Sequence, residues 1–287
     1  MNRITDTDLI LNPDGSVYHL NLLPEDLANT IITVGDPDRV AEVSKHFDNL
    51  ELKKGKREFI THTGFLGNQR ISVVSTGIGT DNIDIVLNEL DALVNIDLRS
   101  RQVKEQLTSL NIIRIGTSGT IQSDIPIDSI LVSEFALGLD ALMGYYQYPE
   151  TKEEKELLSA LKNQVPDLQS LNPYFTHAGN DLMNKLGKGL QKGITVTAPG
   201  FYAPQGRILR YQSKIDKLIG KLNTFSYQNK RITNLEMETA GIYALATIFG
   251  HQAISVNAIL ASRIKLEFSK NPQNIVNEAI KLVLERI

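Results

Sequence analysis

Short apolar runs rich in β-branched residues alternate along the chain with longer stretches of helical periodicity. The strand-like runs are Thr30 to Val34, Ile71 to Ser75, Asn111 to Ile115, Ser129 to Ser133, Gly193 to Thr197 and Ala253 to Leu260. The helical stretches are Arg39 to His46, Asp81 to Leu93, Lys152 to Asn163, Ala178 to Leu186, Thr239 to Phe249 and Pro272 to Arg286. This alternation predicts an α/β fold with a central sheet flanked by helices.

One pair of strand-like segments, Glu58 to Thr63 and Gln69 to Ser75, is separated by Gly64–Gly67 and predicts a hairpin. A hairpin beside parallel βαβ units makes the predicted sheet mixed. No Pro/Gly/Ser-rich linker and no internal repeat interrupts the sequence, so we expect a single domain over residues 1–287. The polar segment 95–109 lies between a predicted helix and a predicted strand, and we interpret it as an elaborated connection.

Composition limits the possible partners and chemistry. The net charge is −3, so the chain lacks the strong positive field that holds nucleic acid or an anionic membrane, and any anion site must be local. There are no cysteines, which excludes disulfides, thiolate nucleophiles and Cys-based zinc sites. The polar N-terminus lacks the apolar run of a signal peptide, and no apolar run is long enough to cross a bilayer. We therefore expect a cytoplasmic protein.

Two carboxylates stand close together in Asn234–Thr239, where Glu236 and Glu238 flank Met237 at the start of the predicted helix Thr239 to Phe249. Acidic side chains are rarely buried without a partner, and a sugar diol is one possible partner. An ordinary acidic first turn, which suits the helix dipole, explains the same residues. The motif alone leaves both interpretations open.

The segment Val34–Arg39 follows an apolar strand and begins a helix. Asp36 is a good N-cap, Pro37 suits the first helical position, and Gly35 allows close approach of a ligand to the backbone. A helix N-terminus with Arg39 one turn inside it is a candidate anion site. A well-capped turn with Arg39 in a salt bridge fits these residues equally well.

A third motif, Ile113–Gly119, places Arg114 inside a β-branched run. A basic residue near the end of a buried strand needs an anion or a carboxylate as its partner. Thr117 and Ser118 then offer hydroxyls and backbone N–H groups at the predicted carboxyl end of the strand, where open α/β sheets bind ligands.

The turn-rich segment Pro199–Arg207 combines the ring of Phe201, the amide of Gln205 and the guanidinium of Arg207. An amide both donates and accepts hydrogen bonds and a guanidinium supplies planar donors, so this set suits the edge of a planar heterocycle. An ordinary surface loop is the alternative that the segment by itself does not exclude.

Taken together, these segments resemble the nucleoside phosphorylase family, on its uridine phosphorylase branch. The matching motifs occur in the family's order and are Tyr18–Leu20, Gly35–Arg39, Arg57–Phe59, Ser75–Gly79, Arg114–Gly119, Phe201 and Tyr202 with Gln205 and Arg207, and Glu236–Glu238. They extend from near residue 18 to about residue 263, so the resemblance covers most of the chain. It implies a pentosyltransferase that cleaves uridine with phosphate, giving uracil and ribose 1-phosphate in nucleoside salvage.

The resemblance also implies a role for each matched position. The implied phosphate-binding residues are Gly35, Arg39, Arg114, Thr117 and, from a neighbouring subunit, Arg57. The implied ribose-binding residues are Met237, Glu238 and the neighbour's His19. The implied base-binding residues are Phe201, Gln205, Arg207, Glu236 and Arg263. The implied catalytic residues are Arg114, Glu238, Gln205 and Arg207.

These roles agree with the chemistry. Phosphorolysis of an N-glycoside passes through an oxocarbenium-like sugar, with phosphate held on one face by guanidinium groups and backbone N–H groups. The reaction needs no enzyme nucleophile and no transition metal, so we expect no cofactor, since phosphate is a substrate. The resemblance implies a homo-oligomer with sites shared between subunits, and a potassium ion near Glu58.

Some positions depart from the family pattern. They are Thr80–Asn82, Gly206 and the longer segment 95–109. The sequence therefore leaves open whether the protein is a dimer or a hexamer and which sugar its substrate carries. Ser262 stands where the purine branch has an aspartate, which favours a pyrimidine substrate. A purine nucleoside phosphorylase or a related nucleosidase is the alternative function, and a non-catalytic nucleoside-binding relative is the third.

Overall fold

A twelve-stranded mixed sheet forms the centre of the computed structural model, which describes residues 3–287. The first two residues of the predicted domain lie outside that range. The strands are β1 Thr30–Val34, β2 Asn49–Lys56, β3 Phe59–Leu66, β4 Gln69–Ser75, β5 Ile96–Asp97, β6 Gln102–Val103, β7 Asn111–Thr120, β8 Ile130–Gly138, β9 Tyr174–His177, β10 Gln191–Thr197, β11 Ser226–Tyr227, β12 Lys230–Glu236, β13 Gln252–Ser262 and β14 Glu267–Phe268. The helices are α1 Pro37–Ser44, α2 Thr80–Asn95, α3 Lys152–Gln164, α4 Asn180–Leu186, α5 Leu218–Thr224, α6 Thr239–Phe249 and α7 Pro272–Arg286.

Five strands of this sheet close into a barrel. They follow the order β12, β10, β8, β13, β7, and the ring is completed because β12 also pairs with β7, with Asn234 opposite Thr120 and Leu235 opposite Gly119. Strands β1, β4, β3 and β2 continue the sheet outward from β7. Parallel pairs such as β1–β7 occur beside antiparallel pairs such as β3–β4, so the predicted mixed α/β fold with its hairpin is confirmed.

Strands β7 and β8 extend well past the carboxyl ends that their sequence patterns predict. The prediction that β7 ends at Ile115 is wrong, because the strand continues to Thr120, and β8 continues past Ser133 to Gly138. The additional part of β7 is rich in Gly, Ser and Thr, which have little strand preference of their own. It is extended because β13 pairs along its length and β12 pairs with its end. This pairing is a tertiary effect, invisible to a local pattern.

Helix α6 is the most deeply buried helix segment, with every residue from Thr239 to Ala246 inside the protein. Its Tyr243 hydroxyl donates to the Ser133 carbonyl at 2.8 Å and accepts from the Ser255 N–H at 2.7 Å. One side chain therefore joins α6 to both β8 and β13. This contact holds the start of α6, which follows the acidic motif, against the barrel.

The segment 95–109 contains the β5–β6 hairpin between α2 and β7. The Asn95 amide closes the base of this segment, donating to the Thr108 carbonyl at 3.1 Å and accepting from the Thr108 N–H at 2.7 Å.

Within residues 3–287, no helix combines the length and the apolar character needed to cross a membrane.

A buried acid organises the start of α3. The Glu154 side chain is fully buried, and it accepts hydrogen bonds from Tyr148 Oη at 2.6 Å, the Thr151 N–H at 2.7 Å and His177 Nδ1 at 2.8 Å. His177 is the last residue of strand β9, so the contact ties α3 to the sheet. The hydrogen bond to Glu154 raises the pKa of His177 above its usual value.

This contact predicts a specific pH dependence of stability. Because the folded protein binds the His177 proton more tightly than the unfolded chain, the stabilisation is fully present below the unfolded pKa of about 6.5 and is lost as the pH rises through the higher folded pKa. This dependence can be measured by urea unfolding of the wild type and of His177→Gln across pH 5 to 9. The difference in unfolding free energy between the two proteins should shrink towards high pH. A difference independent of pH contradicts the assignment.

Candidate active site

A cavity of about 620 Å³ lies where β1, β7 and β12 meet the turns and helices that follow them. Ten of the residues predicted from the sequence line it. They are Gly35, Arg39, Arg114, Thr117, Phe201, Gln205, Arg207, Glu236, Met237 and Glu238. Motifs separated by up to two hundred residues along the chain therefore share one cavity.

One end of the cavity is formed by the start of α1. Asp36 caps the helix by accepting a hydrogen bond from the Asp38 N–H at 3.0 Å, and Pro37 is the first helical residue, as the sequence predicts. Gly35, which lines the cavity just before the cap, leaves the backbone open to a ligand. Burial lowers the pKa of Arg39, while the nearby Asp36 opposes that shift. The end combines a helix N-terminus and a guanidinium, which is an arrangement suited to an anion.

Arg114 is the central charge of the cavity and is only 5% exposed. Its Nη2 lies 2.6 Å from Glu238 Oε2 and 3.0 Å from Glu236 Oε2. A β-carbon at position 116 would overlap this guanidinium, so Gly116 gives the side chain room to fold back along its own strand. Burial opposes the charged form, but the two carboxylates outweigh it and raise the pKa of Arg114. The guanidinium is therefore a permanent cation.

The two carboxylates of the acidic motif make different contacts. Glu238 Oε1 accepts a hydrogen bond from the Gly79 N–H at 2.8 Å, which joins the turn before α2 to the start of α6. Glu236 accepts from Thr197 Oγ1 at 2.7 Å, from the Glu238 N–H at 2.9 Å and from the Thr239 N–H at 2.9 Å. The Glu236 side chain is thus held against α6 and Arg114, and its implied contact with a base stays a prediction.

The opposite end of the cavity carries an aromatic ring and an amide. The Arg207 guanidinium lies 3.7 Å from the centre of the Phe201 ring, and its Nη1 donates to Gln205 Oε1 at 2.7 Å. Gly206 has a φ of +67°, a left-handed turn that disfavours other residues. Arg263 does not line the cavity, but its Nη1 donates to the Gln205 carbonyl at 2.9 Å. Together these groups form a slot for a planar ring.

Sequence patterns missed part of the apolar wall at this end, namely Leu235, Leu260, Ala261 and Phe268. The register of β13 against β7 shifts between Ile259 and Ala261, which places Leu260 in a β-bulge. A bulge re-aims side chains and breaks the alternation that a strand pattern relies on. No local signal in the sequence marks it.

Besides Arg263, two other predicted residues, Arg57 and His19, lie outside the cavity of their own chain. Arg57 sits exposed in the β2–β3 turn with a φ of +57°. His19 donates from its backbone N–H to Glu89 Oε1 at 2.9 Å and its Nδ1 lies 2.7 Å from the same oxygen. Their implied roles from a neighbouring subunit stay predictions.

The cavity of a single chain carries an excess of negative charge. Its lining includes three arginines and four carboxylates, a net of −1. The arginines are Arg39, Arg114 and Arg207, and the carboxylates are Asp36, Glu58, Glu236 and Glu238. A phosphate group would therefore benefit from a further cation close to Arg39 and Arg114.

The cavity thus has a helix N-terminus and a guanidinium at one end, buried acids in the middle and a slot for a planar ring at the other end. The model of the phosphorylase superfamily matches residues 29–287, and the chain belongs to this family.

Three relatives are similar to this protein over nearly the whole chain. A uridine phosphorylase of Thermococcus kodakarensis is 30% identical over 95% of this chain and 88% of its own length. A uridine phosphorylase of Haemophilus influenzae is 29% identical over 92% of this chain and 90% of its own length. The solved structure of a Trypanosoma brucei nucleoside phosphorylase, described as showing uridine phosphorylase activity, superposes with a TM-score of 0.89 at 28% identity, covering 97% of this chain and 99% of that one.

The contacts of Glu236 predict that it is chiefly an anchor of the site. Replacing it with alanine leaves the Glu238 and Thr239 N–H groups without their acceptor, while Arg114 keeps Glu238 as its partner, so we expect Glu236→Ala to lower the unfolding free energy by about 1–3 kcal/mol. Glu236→Gln, which keeps one oxygen acceptor, should lose less. Urea denaturation measures both, and an alanine variant as stable as the wild type would show that these contacts contribute little.

Proposed function

We propose that the chain is a uridine phosphorylase, a pentosyltransferase that converts uridine and phosphate into uracil and ribose 1-phosphate. The observation that carries the proposal is the presence, in one cavity, of the Arg114–Glu238 pair and the slot formed by Phe201, Gln205 and Arg207. Relatives named for this activity support it.

Phosphate would occupy the end formed by α1 and Arg114. Backbone N–H groups near Gly35, the Arg39 guanidinium and the Thr117 hydroxyl would hold its oxygens, which places one oxygen below the sugar's anomeric carbon. Glu238 would accept hydrogen bonds from the ribose hydroxyls, and Met237 would pack on the sugar. Arg114 contacts Glu238 directly, so it couples phosphate binding to sugar binding.

Breaking the glycosidic bond moves negative charge onto the departing uracil. Gln205 and Arg207 would donate to its oxygens, and this stabilisation grows as the charge develops. In the structure Arg207 is paired with the Gln205 amide and covers the Phe201 ring. An arriving base would take the place of Arg207 on the ring and share its hydrogen bonds.

The site is proposed to be completed by a second copy of the chain. The net charge of −1 in the cavity needs a further cation when phosphate binds, and the exposed Arg57 would supply it from a neighbouring subunit, with His19 at the 5′-hydroxyl. Glu58, which accepts a hydrogen bond from Asn82 Nδ2 at 3.3 Å, would then lie close to the subunit boundary, where the resemblance suggests potassium. We further propose a cytoplasmic role in nucleoside salvage.

A substrate panel tests the proposal directly. Uridine, deoxyuridine, thymidine and inosine are incubated with and without phosphate, and the released base is measured by chromatography. Phosphate-dependent release of uracil is the expected result. Faster release from inosine would establish a purine enzyme, release without phosphate a nucleosidase, and no release at all would leave a binding protein.

Two variants test the assignment of the site. Arg114→Lys keeps the charge but loses the guanidinium fork, and Glu238→Ala loses the sugar acceptor, so each should lower kcat/KM for uridine by on the order of 10²–10³. Arg286→Ala, which removes an arginine bonded to the Leu186 carbonyl on another face, is the control and should match the wild type. Wild-type kinetics in either site variant contradict the mechanism.

Shared sites predict complementation between inactive variants. Co-expressed Arg57→Ala and Arg114→Ala chains should form mixed dimers with one intact site, recovering about a quarter of wild-type activity if the site lies between two subunits. Arg39→Ala with Arg114→Ala is the matched control, because both residues line the cavity of the same chain, and it should recover nothing. Equal activity in both mixtures would argue against a site shared through Arg57.

A further inference from the structure

A line of hydrogen bonds crosses the interior of the barrel from Arg114 to Ser118. The four residues between them do not line the cavity and are fully buried. The contacts are Arg114 Nη1 to Asn257 Oδ1 at 3.2 Å, Asn257 Nδ2 to Ser133 Oγ at 3.0 Å, Ser133 Oγ to Thr195 Oγ1 at 2.5 Å, Thr195 Oγ1 to Asn234 Oδ1 at 2.9 Å and Asn234 Nδ2 to Ser118 Oγ at 2.9 Å. The line thus uses a side chain from each of the five barrel strands.

The direction of the hydrogen bonds is set separately at the two ends of this line. At the cavity end, Thr195 and Thr233 both donate to Asn234 Oδ1, which leaves Asn234 Nδ2 to donate to Ser118. The Ser118 oxygen is an acceptor in this contact. At the other end, a guanidinium only donates, so the Asn257 oxygen must face Arg114 and its Nδ2 must donate to Ser133. Thr195 gives its one proton to the Asn234 oxygen, so the proton between the two hydroxyls comes from Ser133.

The last proton of the line belongs to the Ser118 hydroxyl. No acceptor for it lies among the residues that the structure describes, while Ser118 lines the cavity and is 8% exposed. Its neighbour Gly119 packs against the Arg263 side chain, and Arg263 holds the backbone of Gln205. The hydroxyl proton is therefore presented to the cavity at the end that faces the base.

We propose that Ser118 is a further substrate-binding residue, which donates a hydrogen bond to a carbonyl oxygen of the bound pyrimidine. Thr195 and Asn234 are positioning residues, since Thr195 donates to the Asn234 oxygen and Asn234 Nδ2 donates to Ser118. The inference rests on the proposed function and adds a donor that stabilises the charge on the departing base.

A double-mutant cycle tests the proposal. Ser118→Ala removes the donor, and Thr195→Val breaks the line while keeping the side-chain shape, so each should lower kcat/KM for uridine about five- to tenfold and leave KM for phosphate unchanged. The double variant should be no slower than either single variant, because both changes remove the same oriented hydrogen bond. Thr195→Ser, which keeps the hydroxyl, should restore most of the activity.

The control is Thr61→Val on β3, since Thr61 is equally buried and its hydroxyl has no hydrogen-bond partner among residues 3–287. It should retain wild-type kinetics, and thermal unfolding reports the stability of all variants. If Thr195→Val does not fold, Thr195→Ala, which removes the same donor to Asn234, takes its place. If the losses in kcat/KM caused by Ser118→Ala and Thr195→Val multiply in the double variant, the inference is overturned and the proposed function stands. If the wild type does not cleave uridine, the proposed function itself is overturned.

Discussion

The buried ion cluster of Arg114 with Glu236 and Glu238 is the interaction on which the rest of the site depends. A guanidinium inside a protein needs carboxylate partners, and both carboxylates lie within 3.0 Å of its Nη2. The same acids accept hydrogen bonds from backbone groups at the start of α6 and from Gly79. Satisfying one buried charge therefore fixes the relative positions of a strand, a helix and a turn.

Closure of the barrel is what makes this cluster possible. Glu236 is the last residue of β12, Glu238 follows it, and Arg114 lies on β7. The short antiparallel pairing of the two strands brings their carboxyl ends together. Small polar side chains fill the interior of the ring, where Asn257, Ser133, Thr195 and Asn234 satisfy one another. A satisfied polar network of this kind favours one arrangement, because any slip in register leaves buried groups without partners.

The cavity is organised differently at its two ends. At the proposed phosphate end, Arg114 is held by Glu236 and Glu238. The charged side chains that line the cavity of a single chain nevertheless sum to a net charge of −1. At the proposed base end, the side chains contact one another, because Arg207 donates a hydrogen bond to Gln205 and stacks on the Phe201 ring. The negative net charge supports the proposed homo-oligomer, in which a neighbouring subunit would add a cation.

The sequence by itself determined most of the local structure and the chemical character of the site. Helices α6 and α7 and strand β1 have the predicted bounds, and the cap at Asp36 is present, because periodicity and capping are properties of neighbouring residues. Only the tertiary structure decided the length of β7, the closure of the barrel and the bulge at Leu260. Each of these depends on pairing between strands far apart in the chain, and so does the hydrogen bond from Asn234 to Ser118.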